Sequence, residues 1–150
     1  MTRHPTPEEL GAPDLKVAGF QLWVHGRERP DSNDSYDGNW LRVTAHCGAS
    51  GASVWVQGAI MMVTDLASWA QECEALREGR IQQAEFAPPE PELRISIQPI
   101  DRLGHFTLRV EITPDHLRQS HSFDFEIDQT YLPTIERECR VILEAYPVRG

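Results

Sequence analysis

Basic residues are scarce in this chain of 150: 14 lysines and arginines stand against 23 aspartates and glutamates, and Lys16 is the only lysine. The net charge of −9, with a pI near 5.1, argues against nucleic acid or an anionic membrane as partner, because both demand a basic footprint. It leaves room for a basic protein. No apolar run approaches the roughly 18 residues that a membrane helix needs. The opening stretch "MTRHPTPEELGAPDLK" has no apolar core, so no secretory signal is expected and the cytoplasm is the expected address. Cysteine is also sparse. Cys47, Cys73 and Cys139 are odd in number and far apart, which fits reduced, buried thiols better than a disulfide frame.

The usual signatures of chemistry are missing too. There is no glycine-rich phosphate loop and no G-x-S-x-G elbow. The six histidines show neither H-x-H nor H-x-x-x-H spacing, and no cysteine joins them at metal-site spacing. His46 and Cys47 are neighbours in a strand pattern, so they point to opposite faces and cannot share a hydrogen bond. Asp124 and Glu126 alternate onto the solvated face of a strand. The expectation is a chain that is not an enzyme, with no catalytic residues, no cofactor and no metal.

The composition itself is ordinary for a globular protein, with 40% hydrophobic and 25% charged residues. Residues 1–14 carry three prolines and little apolar content, and are expected to form a flexible N-terminal arm. Residues 15–150 then read as a single α+β domain. Period-two patterns mark about seven strands: 15–24, apolar on both faces; 39–47 and 52–60, flanking a four-residue "GASG" turn; a weak strand at 81–87; then 93–97, 105–113 and 122–127. In the first hairpin that turn sets Cys47 opposite Ala52, Ala45 opposite Val54 and Val43 opposite Val56. Leu93, Ile95 and Ile97, then Phe106, Leu108, Val110 and Ile112, then Phe123, Phe125 and Ile127 point inward.

Two stretches switch to helical period. In 64–79, Leu66, Trp69, Ala70, Cys73 and Leu76 form the buried stripe, with Thr64 or Asp65 as the cap and Gly79 as the closure. From about 129 to 146, after a cap at Asp128, the stripe is Tyr131, Ile135, Cys139, Ile142 and Tyr146. Only two helices serve about seven strands, so antiparallel meanders fit better than parallel βαβ units. A curved antiparallel sheet with both helices packed on one face is expected, with no internal repeat.

One stretch is richer in charge than its geometry demands. "PDSNDSYDGNW" (30–40) holds Asp31, Asp34, Asp37 and Asn39. An EF-hand alignment would place Asn33, Ser35 and Asp37 at positions one, three and five and Gly38 at the glycine, but the bidentate glutamate falls on Thr44 and no helix flanks the loop. An Asx-rich turn explains the residue types, with Asp37-Gly38 supplying a left-handed backbone. It does not explain three aspartates. Beside the turn, Trp40, Arg42, Thr44 and His46 share a face with Trp55 and Gln57. Either a covering segment hides those indoles, or Trp40, Trp55 and Arg42 form a partly open surface for a partner.

The stretch "YDGNWLRV" (36–43), after an Asp-rich turn and an initial strand, resembles the WapI-type family of bacterial proteins. The resemblance extends to Leu66 and Trp69 of an L-x-x-W helix, to Phe86, Glu90, Pro91 and Leu93, and to a C-terminal amphipathic helix ending near Pro147. The "APP" before Glu90 departs from the family pattern. The family is named for an immunity protein that neutralises a toxin. The resemblance therefore implies a non-catalytic, protein-binding module. Nuclease toxins are often basic, and an acidic partner is steered toward them. The expected partner-binding residues are Asp31, Asp34, Trp40, Arg42 and Trp55. The alternatives are a structural or regulatory domain, or a calcium-binding or hydrolytic protein using the Asp31–Asp37 loop.

Overall fold

The computed structural model describes residues 6–150, so the first five residues of the expected arm lie outside the described residues. The rest of that arm begins with a single helical turn, α1 (Pro7–Leu10), where Thr6 and Glu9 cap one another. Eight strands then form two four-stranded antiparallel meanders, each followed by a helix. The first half is β1 (Leu15–Val17), β2 (Phe20–Arg27), β3 (Trp40–Ala49), β4 (Ala52–Met62) and α2 (Val63–Arg77). The second is β5 (Ala84–Phe86), β6 (Leu93–Pro99), β7 (His105–Ile112), β8 (Ser122–Asp128) and α3 (Tyr131–Ala145).

The fold is thus α+β, but the expected single sheet of about seven strands is two sheets of four. Two local facts account for the difference. Residues 15–24 are not one strand: the chain reverses at Ala18-Gly19, so that Val17 pairs with Phe20 and Leu15 with Leu22. Ala18 adopts a positive φ of 51°, which non-glycine residues rarely do and which no turn motif announces. A Cβ on Gly19 would come within 2.3 Å of the Gly48 carbonyl and 2.7 Å of the Phe125 ring. The bare glycine is what lets this corner of the first sheet meet β8. The second break is α2 itself, which carries the chain away from β4 before β5 begins the next meander.

The β3–β4 turn is shorter than the sequence suggests. Ala49 pairs with Ala52, leaving only Ser50 and Gly51 in the loop at φ 52° and 88°, the left-handed pair that a tight two-residue hairpin requires. Cys47 consequently faces Val54, and His46 faces Trp55. The slip is two residues, so every side chain keeps its expected face. Cys47, Ala45, Val43, Val54 and Val56 are buried as expected, while Ala52 is exposed at the loop.

The inner faces of both sheets and both helices share one apolar cluster. In α2 the whole expected stripe is buried, and Gly79 closes the helix: its N–H reaches the Leu76 carbonyl and the Arg80 N–H reaches that of Ala75. Asp65 accepts the Met62 N–H at 2.7 Å, and burial raises its pKa. In α3 the stripe begins with Leu132, which is fully buried, and not with Tyr131, which is 38% exposed. Asp128 accepts the Thr130 N–H at 2.9 Å just ahead of the helix.

No repeat is visible in the sequence, yet the architecture repeats. Glu138-Cys139 of α3 follows Glu72-Cys73 of α2 by 66 residues, and both pairs do the same work. Each cysteine is buried against the other helix. Each glutamate covers the first strand of the other half: Lys16 N donates to Glu138 at 2.8 Å, and Glu85 N donates to Glu72 at 3.1 Å. Both helices therefore block sheet edges that would otherwise offer unpaired backbone.

Candidate functional site

The Asp-rich loop leaves β2 at Arg27 and returns into β3 through a 3-10 turn, Asp37–Asn39. Its internal geometry reassigns the roles expected of the aspartates. Asp34 is the turn residue, since one carboxylate oxygen accepts the Asp37 N–H at 2.8 Å and the Tyr36 N–H at 2.9 Å. These bonds, that of Asp37 foremost, hold the Asp34 carboxyl below its ordinary pKa. Asp31 and Asp37 point outward at the surface. Gly38 is not left-handed. It is needed for close approach, because a Cβ there would lie 2.6 Å from the Ser32 carbonyl.

Asn39 is buried at 1% exposure and ties this loop to the far end of the chain. Its side-chain amide donates to the Ser35 and Arg149 carbonyls at 2.7 and 2.9 Å, and its oxygen accepts the Arg149 N–H at 2.9 Å. The amide thereby pairs with the tail backbone as a strand neighbour would. Two guanidiniums complete the clasp. Arg27 donates to the Gly38 carbonyl at 2.6 Å and to that of Pro147, and lies 5.9 Å above the Tyr146 ring. Arg149 donates to the Pro30 and Ser32 carbonyls at 2.6 and 2.8 Å. The Asp-Gly-Asn stretch is a docking platform for residues 147–150.

At the edge of this platform Tyr36, 60% exposed, meets Trp40 edge to face, with ring centroids 5.6 Å apart. Arg42 projects into solvent with Glu28 at 3.7 Å. Asp31, Asp34, Trp40 and Arg42 therefore cluster around one end of β3. Trp55 does not join them. It sits opposite His46, six residues along β3 from Trp40, or about 20 Å at the usual strand rise.

Trp55 belongs to a second aromatic group on the outer face of the first sheet. Trp23 stacks on it, with centroids 6.0 Å apart and an 18° interplanar angle, and the His46 ring lies 4.3 Å away. The N-terminal segment covers part of this face, since Trp23 Nε1 donates to the Gly11 carbonyl at 3.1 Å. His46 lies 2.7 Å from Ser53 Oγ and 3.2 Å from Gln21 Oε1, and burial lowers its pKa. Beside it, Thr44 Oγ1 lies 2.8 Å from His25 Nε2 and accepts from Gln57 at 3.2 Å. Trp23 and His25 escape a reading of residues 15–24 as one strand apolar on both faces. Arg27 and Arg149 give no local signal at all.

Among the described residues, no three histidine, cysteine or acidic side chains converge as a metal site would require. The three thiols are buried, with those of Cys47 and Cys139 pushed up to about 12 by burial and that of Cys73 raised by the same cause. Such thiols are poor nucleophiles. Among the described residues, no helix is long and apolar enough to cross a membrane. What the surface offers chemically is charge and aromatic contact area.

Comparison with known proteins adds three findings. The profile of the Immunity protein WapI-like family matches residues 14–147. No curated protein sequence matches. Among solved structures, WHY1 from Arabidopsis thaliana superposes with a TM-score of 0.50 at 10% identity, covering 86% of this chain and 78% of that one. WHY3 from the same plant gives 0.47 at 11% identity, covering 88% and 85%. MRP1/MRP2 of a trypanosome gives 0.44 at 15% identity, covering 84% and 74%. The WHY1 likeness concerns the path of the chain alone.

Proposed function

Because the chain belongs to the immunity protein WapI-like family, we propose that it is a non-catalytic module that neutralises a bacterial toxin domain by binding it. The family match across residues 14–147 carries this reading. The surface supports it. An aromatic pair, the exposed Tyr36 and the half-buried Trp40, sits beside Asp31, Asp34 and Arg42 at one end of the first sheet. Aromatic and arginine side chains are the residue types that anchor interfaces. A chain of net charge −9 steers toward a basic partner, and against a nuclease the loop carboxylates would take the place of phosphates. The protection would work in the cytoplasm, where the thiols stay reduced.

The test is coexpression with the C-terminal domain of a large secreted protein encoded beside this gene. Restored growth and a stable complex support the reading. Absence of both protection and binding for every such neighbouring domain overturns it.

A further inference from the structure

A cleft of about 400 Å³ opens between the end of β2, the start of β3 and the end of α3, lined by Gly26, Arg27, Pro30, Arg42, Tyr146 and Arg149. Three guanidiniums converge on it in a strongly acidic protein. Their partners are almost all neutral. Arg27 is only 8% exposed and spends its bonds on the carbonyls of Gly38 and Pro147. Arg149 spends its own on those of Pro30 and Ser32. Among the described residues, the one carboxylate within ion-pair distance of the three is Glu28, 3.7 Å from Arg42 with both side chains in solvent.

Clasping carbonyls requires donors and not charge. Asn39 does that work next door with a neutral amide. Two guanidiniums in the same corner leave positive charge uncompensated. Burial foremost, and then the nearby Arg149 charge, lowers the pKa of Arg27. A guanidinium carries five N–H donors. Both bonds of Arg149 leave from Nη1, and its Nε–Nη2 edge, the side that grips planar oxyanions in a bidentate fork, makes no hydrogen bond among the described residues.

We infer that this cleft is a carboxylate-binding subsite, which in the complex proposed above receives an acidic side chain of the protein partner. A carboxylate fits better than a phosphate for two reasons. It is planar and singly charged. It must also approach past Glu28 and the carbonyl end of α3, both of which repel a dianion more strongly. The interface is then bipolar, with an acidic rim for the partner's basic surface and a cationic notch that fixes orientation. The identity of the occupant rests on the protein-binding reading; the subsite itself does not.

Acetate, inorganic phosphate and chloride, titrated at constant ionic strength and followed by ¹H–¹⁵N shifts of backbone and arginine Nε groups, test the subsite without any partner. Acetate should give saturable shifts confined to Gly26, Arg27, Arg42, Tyr146 and Arg149. Arg42→Gln, an exposed change, and Arg149→Lys, which keeps the charge but loses the fork, should each weaken binding by roughly fivefold or more. Arg109→Gln, on the second sheet, should leave it unchanged. Saturation by phosphate alone, or no saturable shift at this cleft, overturns the assignment. Acetate binding in a protein that recognises no toxin domain would instead retain the subsite and remove the protein-binding reading.

Discussion

Arg77 of α2 and Glu136 of α3 form a two-pronged pair, with Nε 2.7 Å from Oε2 and Nη2 3.0 Å from Oε1. The glutamate side chain is 3% exposed and the arginine 39%. One partner is therefore desolvated while the other still meets water. Glu136 occupies a position on the buried stripe of α3, where an apolar residue would ordinarily stand, so removing Arg77 leaves a buried carboxylate with only the exposed Arg140, 3.8 Å from Oε1, as counter-charge. Arg77→Ala should lower Tm clearly more than Arg109→Ala, which breaks an equally two-pronged but exposed pair with Asp124. The double change Arg77→Met with Glu136→Leu should recover most of the loss, as apolar replacements of buried ion pairs do. Equal losses for the two single variants would show that the α2–α3 pair is no more than a surface bridge.

Ile142 lies on the same face of α3 at 4% exposure. Its truncation to alanine should cost about 2–5 kcal/mol in denaturant unfolding, the range for buried aliphatic deletions. A loss under about 0.5 kcal/mol, typical of surface positions, would mean that α3 is not docked.

Asn39 makes three hydrogen bonds from a fully buried side chain, two of them to Arg149. Asn39→Ala should cost about 1–3 kcal/mol, since it leaves buried backbone groups without partners. Hydrogen exchange at the Arg149 amide should accelerate in the same variant. Unchanged protection there would place the anchoring of the tail elsewhere.

Asp31 and Asp34 should behave differently despite their shared charge. Asp31→Asn should leave Tm unchanged and slow association with a basic partner most at low salt, as rim charges do. Asp34→Ala should lower Tm at neutral pH, because two loop amides lose their acceptor. Its folded pKa is depressed, so the contribution is present above the ordinary carboxylate value and fades as pH falls through the depressed one. The Tm gap between wild type and Asp34→Ala should therefore close in acid. A gap independent of pH would refute the assignment of Asp34 as the charged turn residue.

Gly19→Ala should cost about 1–3 kcal/mol, the range for overpacking, since the new methyl would meet the Gly48 carbonyl and the Phe125 ring. Phe125→Leu in the same chain should recover only the part due to the ring. Full tolerance of alanine at Gly19 would mean that the two sheets are not held together at this corner.

The sequence by itself determined the class of fold, the inner face of nearly every strand and the buried stripe of α2. These follow from periods of two and 3.6 residues, which each segment carries alone. Even a turn misjudged by two residues left Cys47, Ala45 and Val43 on the buried face, because a slip of two preserves alternation. The closure of α2 at Gly79 was legible for a similar reason: a left-handed glycine after an amphipathic stripe is a local signal. Only the tertiary structure decided that Leu15–Val17 folds back on Phe20–Leu22, that the strands divide into two sheets, and that Asp34 and not Asp37 makes the turn. It alone joined Asn39 to Arg149 and brought Arg27, Arg42 and Arg149 to one cleft. Those contacts span up to 120 residues and are made largely to backbone carbonyls. Every residue carries a carbonyl, so no pattern of side chains can mark which ones the folded chain will bring within reach.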